Sequence, residues 1–213
     1  MRRKTLAIVV AVSILSAATL AAGLALVLME LRPRLPGAAV EALLGETHVR
    51  FPPELARLPE ARHGGALDQL DLAVTFPGFQ APLRHAGEAA TAMVFIHLTP
   101  QGHSLDPAER PVRLYAPFLD LVGQGQDGGL VMRRFVAGSP YQTENLYLAP
   151  PEGRLFWARC LRPAQPPAAL PDTCLSDLRL HGLDVQVRFD PALLPEWERL
   201  AAGVRRIVEG IAR

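Results

Sequence analysis

The sequence predicts an α+β protein: an N-terminal transmembrane helix, then one mainly antiparallel β domain of about seven or eight strands, with an amphipathic C-terminal helix packed on it. Three observations support this. Residues 6–29 are uncharged and apolar, several segments between residues 68 and 190 alternate apolar and polar side chains, and residues 191–212 carry an apolar stripe at helical spacing. Because no helical pattern lies between the strands, a doubly wound fold is not expected. A β-sandwich with an appended helix is the alternative architecture.

The first element is a transmembrane anchor at residues 5–30, preceded by a four-residue tail that contains Arg2, Arg3 and Lys4. As an α-helix the 24 apolar residues 6–29 would be about 36 Å long, which exceeds the roughly 30 Å hydrocarbon core of a bilayer. The basic tail favours a cytoplasmic N-terminus, so the rest of the chain would lie outside the cytoplasmic membrane. The Pro-, Ala-, Leu- and Arg-rich composition suggests a bacterium, in which that compartment is the periplasm.

A cleaved signal peptide is the alternative interpretation of the same segment, and it would release the domain into the periplasm. Small residues at 16–18 and 21–23 would suit a signal peptidase. The apolar run nevertheless continues past both sites to Met29, whereas the apolar region of a signal peptide usually has about 7–15 residues. The length therefore favours an uncleaved anchor that contacts the lipid bilayer.

The charge distribution argues against nucleic acid as a partner. The whole chain has a formal net charge of +1, but the first 34 residues hold five basic residues and one acidic residue, which leaves about −3 for the rest. A slightly acidic exported domain lacks the basic surface that binds phosphate backbones.

Residues 31–66 are predicted to be a connector with short helices. The segment 38–44 follows a Pro-Gly pair and ends at Gly45, a pattern typical of a short helix with glycine just past its end. A second short helical turn is expected over residues 54–58, between prolines.

The β-rich domain is predicted to begin at residue 67. Glycine- and proline-rich turns separate its strands, above all at residues 123–129 and 150–153. The clearest hairpin turns at His181-Gly182. The predicted strands lie at residues 70–76, 92–98, 112–118, 130–136, 146–149, 154–161, 174–180 and 183–189.

The two cysteines, Cys160 and Cys174, are predicted to form a disulfide. Both lie in the exported part, where an isolated pair usually oxidises, and both share a strand face with apolar residues that point inward. Two buried free thiols are the alternative.

The last element is a helix over residues 191–212, on which Trp197 is the expected anchor. Asp190 is the expected N-cap and Pro191 the first helical residue. A helix of this length should cover one face of the sheet.

Catalytic motifs of any specificity are not recognisable, so neither a catalytic residue, a cofactor nor a metal is predicted. The histidines are scattered without metal-ligand spacing, and Ser139 lacks the second glycine of a nucleophile elbow. Two adjacent strand arginines with nearby tyrosines and an acid are the best candidates for an interaction surface. These candidates are Arg133, Arg134, Tyr141, Glu144 and Tyr147.

Three functions are compatible with these features. The first is a membrane-anchored subunit of a bacterial envelope system that binds another envelope protein and has no catalytic role. The second is a periplasmic small-molecule or lipid-binding module with a pocket lined by Trp197, Phe189 and Val185. The third is an anchored hydrolase, which would require at least two of a small set of side chains to converge within hydrogen-bonding reach. That set is His97, His103, Ser139, Asp120 and Glu144.

Overall fold

The large sheet contains eight strands in the order β4-β5-β11-β10-β9-β8-β7-β6, and every neighbouring pair is antiparallel. The structure, a computed structural model, describes residues 38–82, 92–162 and 173–212. A second sheet, β2-β1-β3, has three strands. The strands are β1 Val40–Leu44, β2 Thr47–Phe51, β3 Gly65–Leu67, β4 Leu70–Thr75, β5 Met93–Pro100, β6 Gln124–Gly125, β7 Val131–Arg134, β8 Glu144–Leu148, β9 Trp157–Leu161, β10 Cys174–Leu180 and β11 Leu183–Phe189.

The C-terminal helix α1, Trp197–Ile211, packs on one face of the large sheet. A 3-10 turn over Pro191–Glu196 precedes it, and the Asp190 carboxylate accepts a hydrogen bond from the Ala192 N–H at 2.8 Å, as expected of a cap. The main core joins the apolar face of α1 to the inward-facing residues of both sheets. The predicted antiparallel β domain with a C-terminal helix is thus confirmed, and its strands form one large sheet with a small second one.

The predicted helix at residues 38–44 is wrong, because this segment is strand β1. Val40, Ala42 and Leu44 are buried while Glu41 and Leu43 are exposed. Burial of every second residue is the pattern of a strand with one face covered. Gly45 does adopt a positive φ of 62°, but it lies in the turn of the β1–β2 hairpin. Short 3-10 turns occur further along, at Pro53–Leu55 and Glu60–His63.

The predicted strand at residues 112–118 is also wrong. Here the chain forms two short helical turns, Pro111–Tyr115 and Ala116–Phe118. Prolines at the start of each turn have no N–H to give to a strand ladder. Tyr115 and Leu119 are buried four residues apart, whereas Val112 is exposed, so the burial follows a helical spacing.

The predicted disulfide between Cys160 and Cys174 is present. The two residues are directly paired across β9 and β10, and both are buried. The segment between them falls largely on residues 163–172, outside the described residues, as does the predicted anchor at residues 5–30. In the part of the chain that is described, no helix is long and apolar enough to cross a membrane.

Candidate functional site

A second, smaller core lies on the face of β8 and β9 that points away from α1. Trp157 faces this core while the next residue, Ala158, faces the main one, and Leu146 and Tyr147 alternate in the same way. We call this core the aromatic cluster; its buried members are Tyr115, Leu119, Phe135, Leu146, Leu148 and Trp157.

Tyr115 is at the centre of the aromatic cluster. Its ring makes edge-to-face contacts with Phe135, Tyr141 and Trp157 at centroid distances of 5.8, 5.1 and 5.4 Å. Burial raises the pKa of Tyr115 to about 12, although the positive charge of Arg159 acts in the opposite direction. The ring is therefore neutral at physiological pH and serves as a packing element.

Arg159 links the aromatic cluster to a strand carboxylate. Its guanidinium lies over the rings of Tyr115 and Tyr141, 5.4 and 5.0 Å from their centroids. One of its nitrogens donates to the Glu144 carboxylate at 2.7 Å, and both side chains are only 18% exposed. A planar cation that is both stacked and ion-paired therefore joins β9, which carries Arg159, to β8, which carries Glu144.

The outer segment 118–125 runs along β7 and contains a bulge. The Asp120 N–H donates to the Arg134 carbonyl at 2.9 Å, and further along the strand Gln124 is paired with Met132. Between these pairs three residues, 121–123, face the single residue Arg133. We call residues 121–123 the edge bulge, since such insertions re-aim side chains at the edges of sheets.

The edge bulge exposes two apolar side chains. Leu121 is 96% exposed and Val122 is 76% exposed, more than any other large hydrophobic residue in the described ranges. The Arg133 guanidinium donates to the Asp120 carbonyl at the start of the bulge. A Cβ atom on Gly123 would lie 2.6 Å from a Val131 methyl, so a larger residue at the end of the bulge would force a neighbouring group to shift.

The predicted interaction residues do not form one continuous surface. Arg133 and Arg134 flank the edge bulge, and Arg134 is exposed with no ion pair among the described residues. Tyr141 and Glu144 both contact Arg159 on the face of the sheet that carries the aromatic cluster. Tyr147, on β8, packs instead against the main core on the opposite face of the sheet.

Two of the side chains proposed for a hydrolase are held by other partners. His97 Nδ1 lies 3.0 Å from the Asp71 carboxylate, and Glu144 is paired with Arg159. Ser139 is buried in a turn, and its hydroxyl has no hydrogen-bond partner among the described residues. No hydrogen bond joins any two of the five candidates in the described ranges. Nor do three metal-ligating side chains come together there.

A polar row crosses four strands on the same face as the aromatic cluster. Asp71, His97, Gln186 and Asp177 are directly opposite one another on β4, β5, β11 and β10. Arg110 ends the row by pairing with the Asp177 carboxylate. Burial raises the pKa of Asp177, and Arg110 opposes that shift. The row is a structural network whose members bond chiefly to each other.

The pocket predicted beside the C-terminal helix is partly filled. Trp197 stacks on Phe156 with ring centroids 5.2 Å apart and donates a hydrogen bond from its indole N–H to the Gly128 carbonyl at 2.9 Å. Val185 is buried in the main core. A smaller cavity of about 90 Å³ remains next to Phe189, between β9, β10 and α1.

A mainly antiparallel sheet of eight strands with one C-terminal helix is an architecture found among known structures. The chain is similar to Smlt3025, an immunity protein of the Stenotrophomonas maltophilia type IV secretion system, with a TM-score of 0.60 and 14% sequence identity over 83% of this chain and 94% of that chain. At this identity the likeness shows a shared fold. No family model matches the sequence, and no curated protein matches it.

Proposed function

We propose that this chain is a non-catalytic, membrane-anchored immunity-type protein that binds a protein partner at the bacterial envelope. In this proposal residues 5–30 span the cytoplasmic membrane with the N-terminus inside, and the β-rich domain faces the periplasm. The similarity in fold to an immunity protein of a type IV secretion system supports a partner that is itself a protein. The disulfide is compatible with an oxidising compartment.

The edge bulge is the observation that carries the proposal. Two adjacent aliphatic side chains, Leu121 and Val122, are almost fully solvated on a segment that Arg133 and the aromatic cluster hold in place. Burying each such side chain in a partner is worth about 1.5–3 kcal/mol. Because the segment is already ordered, little conformational entropy opposes binding.

The charges around the edge bulge indicate the chemistry of the partner. Arg134 is exposed and has no ion pair within the described part of the chain, and Arg133 is half-exposed beside it. Arginine is enriched at protein interfaces, whose cores are apolar. We therefore expect the partner to present an apolar recess bordered by carboxylates.

Affinity capture from native membranes tests this proposal. The full chain is compared with the double variant Leu121→Asp, Val122→Asp, and with Leu43→Asp as a matched control, since Leu43 is an exposed leucine on β1. We expect one or two stoichiometric partner proteins with the wild type and the control, and none with the double variant. Equal capture by all three chains would contradict a binding role for the edge bulge.

The proposed membrane topology has its own test. Protease added to spheroplasts should degrade the domain while the N-terminal tail stays protected, and carbonate extraction should leave the full chain in the membrane. Release of the domain by osmotic shock would instead favour the cleaved signal.

A further inference from the structure

The ladder between β9 and β10 ends after two residue pairs. Cys174 is paired with Cys160 and Leu175 with Arg159. Beyond Leu175, β10 is paired with a strand only on its other side, and the 3-10 turn Pro107–Glu109 packs beside it. On β9 the chain turns away at Trp157, the first residue of the strand. The two strands therefore diverge from the disulfide and leave an opening, which we call the strand gap.

Main-chain groups of β10 face the strand gap. The Leu161 N–H donates to the Thr173 carbonyl at 3.1 Å, which places Thr173 and Leu175 among the residues whose N–H and C=O groups point toward β9. Because these directions alternate along an antiparallel strand, the main-chain N–H and C=O groups of Asp177 and Arg179 also point toward β9. No described residue makes a main-chain hydrogen bond to either of them on that side.

The strand gap has an apolar floor. Its cavity of about 90 Å³ is lined by Phe156 and Phe189 and by Leu200 and Val204 of α1. Leu155, at the rim, is 69% exposed. A space of this size is on the order of one aliphatic side chain.

The rim of the strand gap carries charges of both signs. Arg154, Arg179 and Arg205 line it together with Asp106 and Asp177, of which Asp177 is paired with Arg110. Arg154 is paired with Glu152, and Arg179 with an aspartate of β11. Arg205 is half-buried on α1 and has no ion pair among the described residues, so it is the cation available to an incoming carboxylate.

We propose that the strand gap binds a short extended segment of the protein partner, in which an aliphatic residue is adjacent to an acidic one. The segment adds to β10 as a partial strand and bonds to the main chain of Asp177 and Arg179. Its aliphatic side chain enters the cavity and its carboxylate pairs with Arg205. Unpaired strand edges combined with side-chain pockets are a recurrent mode of peptide recognition. This inference rests on the proposed function, because it assigns a second contact to the same partner.

Peptide selection on the full chain, purified in mild detergent, tests the proposal without the natural partner. A random octapeptide library is selected on the wild type and then rescreened on three variants. Ala201→Trp fills the cavity, and Arg205→Glu reverses the available charge. Arg206→Glu is the matched control, because Arg206 is exposed on the same helix and does not line the cavity.

We expect enrichment of peptides that contain an acidic residue beside Leu, Val or Ile. Their affinity should fall at least tenfold in Ala201→Trp and in Arg205→Glu and stay within twofold in Arg206→Glu. Backbone amide signals of residues 176–180 should shift on binding. No enriched sequence, or enriched peptides that bind the variants as well as the wild type, would overturn the proposal.

The outcome is distinguishable from failure of the proposed function. If the partner is captured through the edge bulge but selection finds no peptide for the strand gap, only the present inference fails. If selection succeeds and no partner is captured, the strand gap is a peptide site and the function assigned through the edge bulge is wrong.

Discussion

Removing the disulfide should destabilise the domain, mainly at the junction between β9 and β10. The cross-link joins residues 14 positions apart, so it closes a loop of about 15 residues. The chain-entropy model then assigns it about 3 kcal/mol, a large share of the 5–15 kcal/mol by which domains are usually stable. The effect should also be local, because the described ladder between β9 and β10 has just two residue pairs, one of them formed by the bonded cysteines.

Urea unfolding of the full chain and of the double variant Cys160→Ala, Cys174→Ala measures the loss. Wild-type protein reduced with dithiothreitol is the matched control and should lose the same free energy of unfolding. In hydrogen exchange of the variant, the amides of Arg159 and Leu175 should lose protection before those of β5 and β11. A loss below about 1 kcal/mol, or an equal loss of protection in every strand, would refute this reasoning.

Three further predictions concern packing, pH and capping. Gly203→Ala should lower the free energy of unfolding in urea by about 1–3 kcal/mol, because the new Cβ would lie 2.0 Å from the Phe79 ring. Gly210→Ala is the control: a Cβ there meets no neighbour within 4 Å, so the variant should be neutral or more stable by up to about 1 kcal/mol. Because burial raises the pKa of Tyr115 to about 12, the stability that this residue contributes is present below pH 10 and should decrease, by roughly 3 kcal/mol in all, as the pH rises to 12 and beyond. Tyr115→Phe should remove this pH dependence, and an unchanged pH profile of stability in that variant would contradict the prediction. Asp190→Ala should cost about 1 kcal/mol and Asp190→Asn much less in thermal unfolding, and equal losses would argue against the cap.

Patterns confined to one hairpin or one helix are what the sequence predicts well. The alternation along residues 183–189 indicates strand β11, and the same parity argument places both cysteines on the inner face, where they are bonded. The stripe on residues 191–212 indicates the C-terminal helix and its cap. In each case the signal comes from side chains that all face the same core.

Segments whose partners lie far away in the chain are predicted poorly. Residues 38–44 have good helix formers, but their burial is decided by pairing with β2 and β3. The stretch from Val112 alternates like a strand. It nevertheless forms helical turns, because its prolines cannot donate to a strand ladder and Tyr115 packs on Trp157.

The candidate site was predicted only in part. The adjacency of Arg133 and Arg134 in the sequence predicts them as interaction residues, and in the structure they lie beside the edge bulge. The apolar pair at 121–122 gave no strand or helix pattern, and its exposure depends on the register between residues 118–125 and β7. The strand gap depends on where β9 and β10 diverge, which local sequence does not encode.

The most direct test of the proposed partner binding is photo-crosslinking in intact cells. A photoreactive amino acid replaces Leu121 in the full chain, and the same amino acid replaces Leu43 as the control. We expect one discrete protein adduct from position 121, with no equivalent adduct from position 43. An absent adduct at position 121, or the same adducts from both positions, would contradict the claim that the edge bulge binds a protein partner.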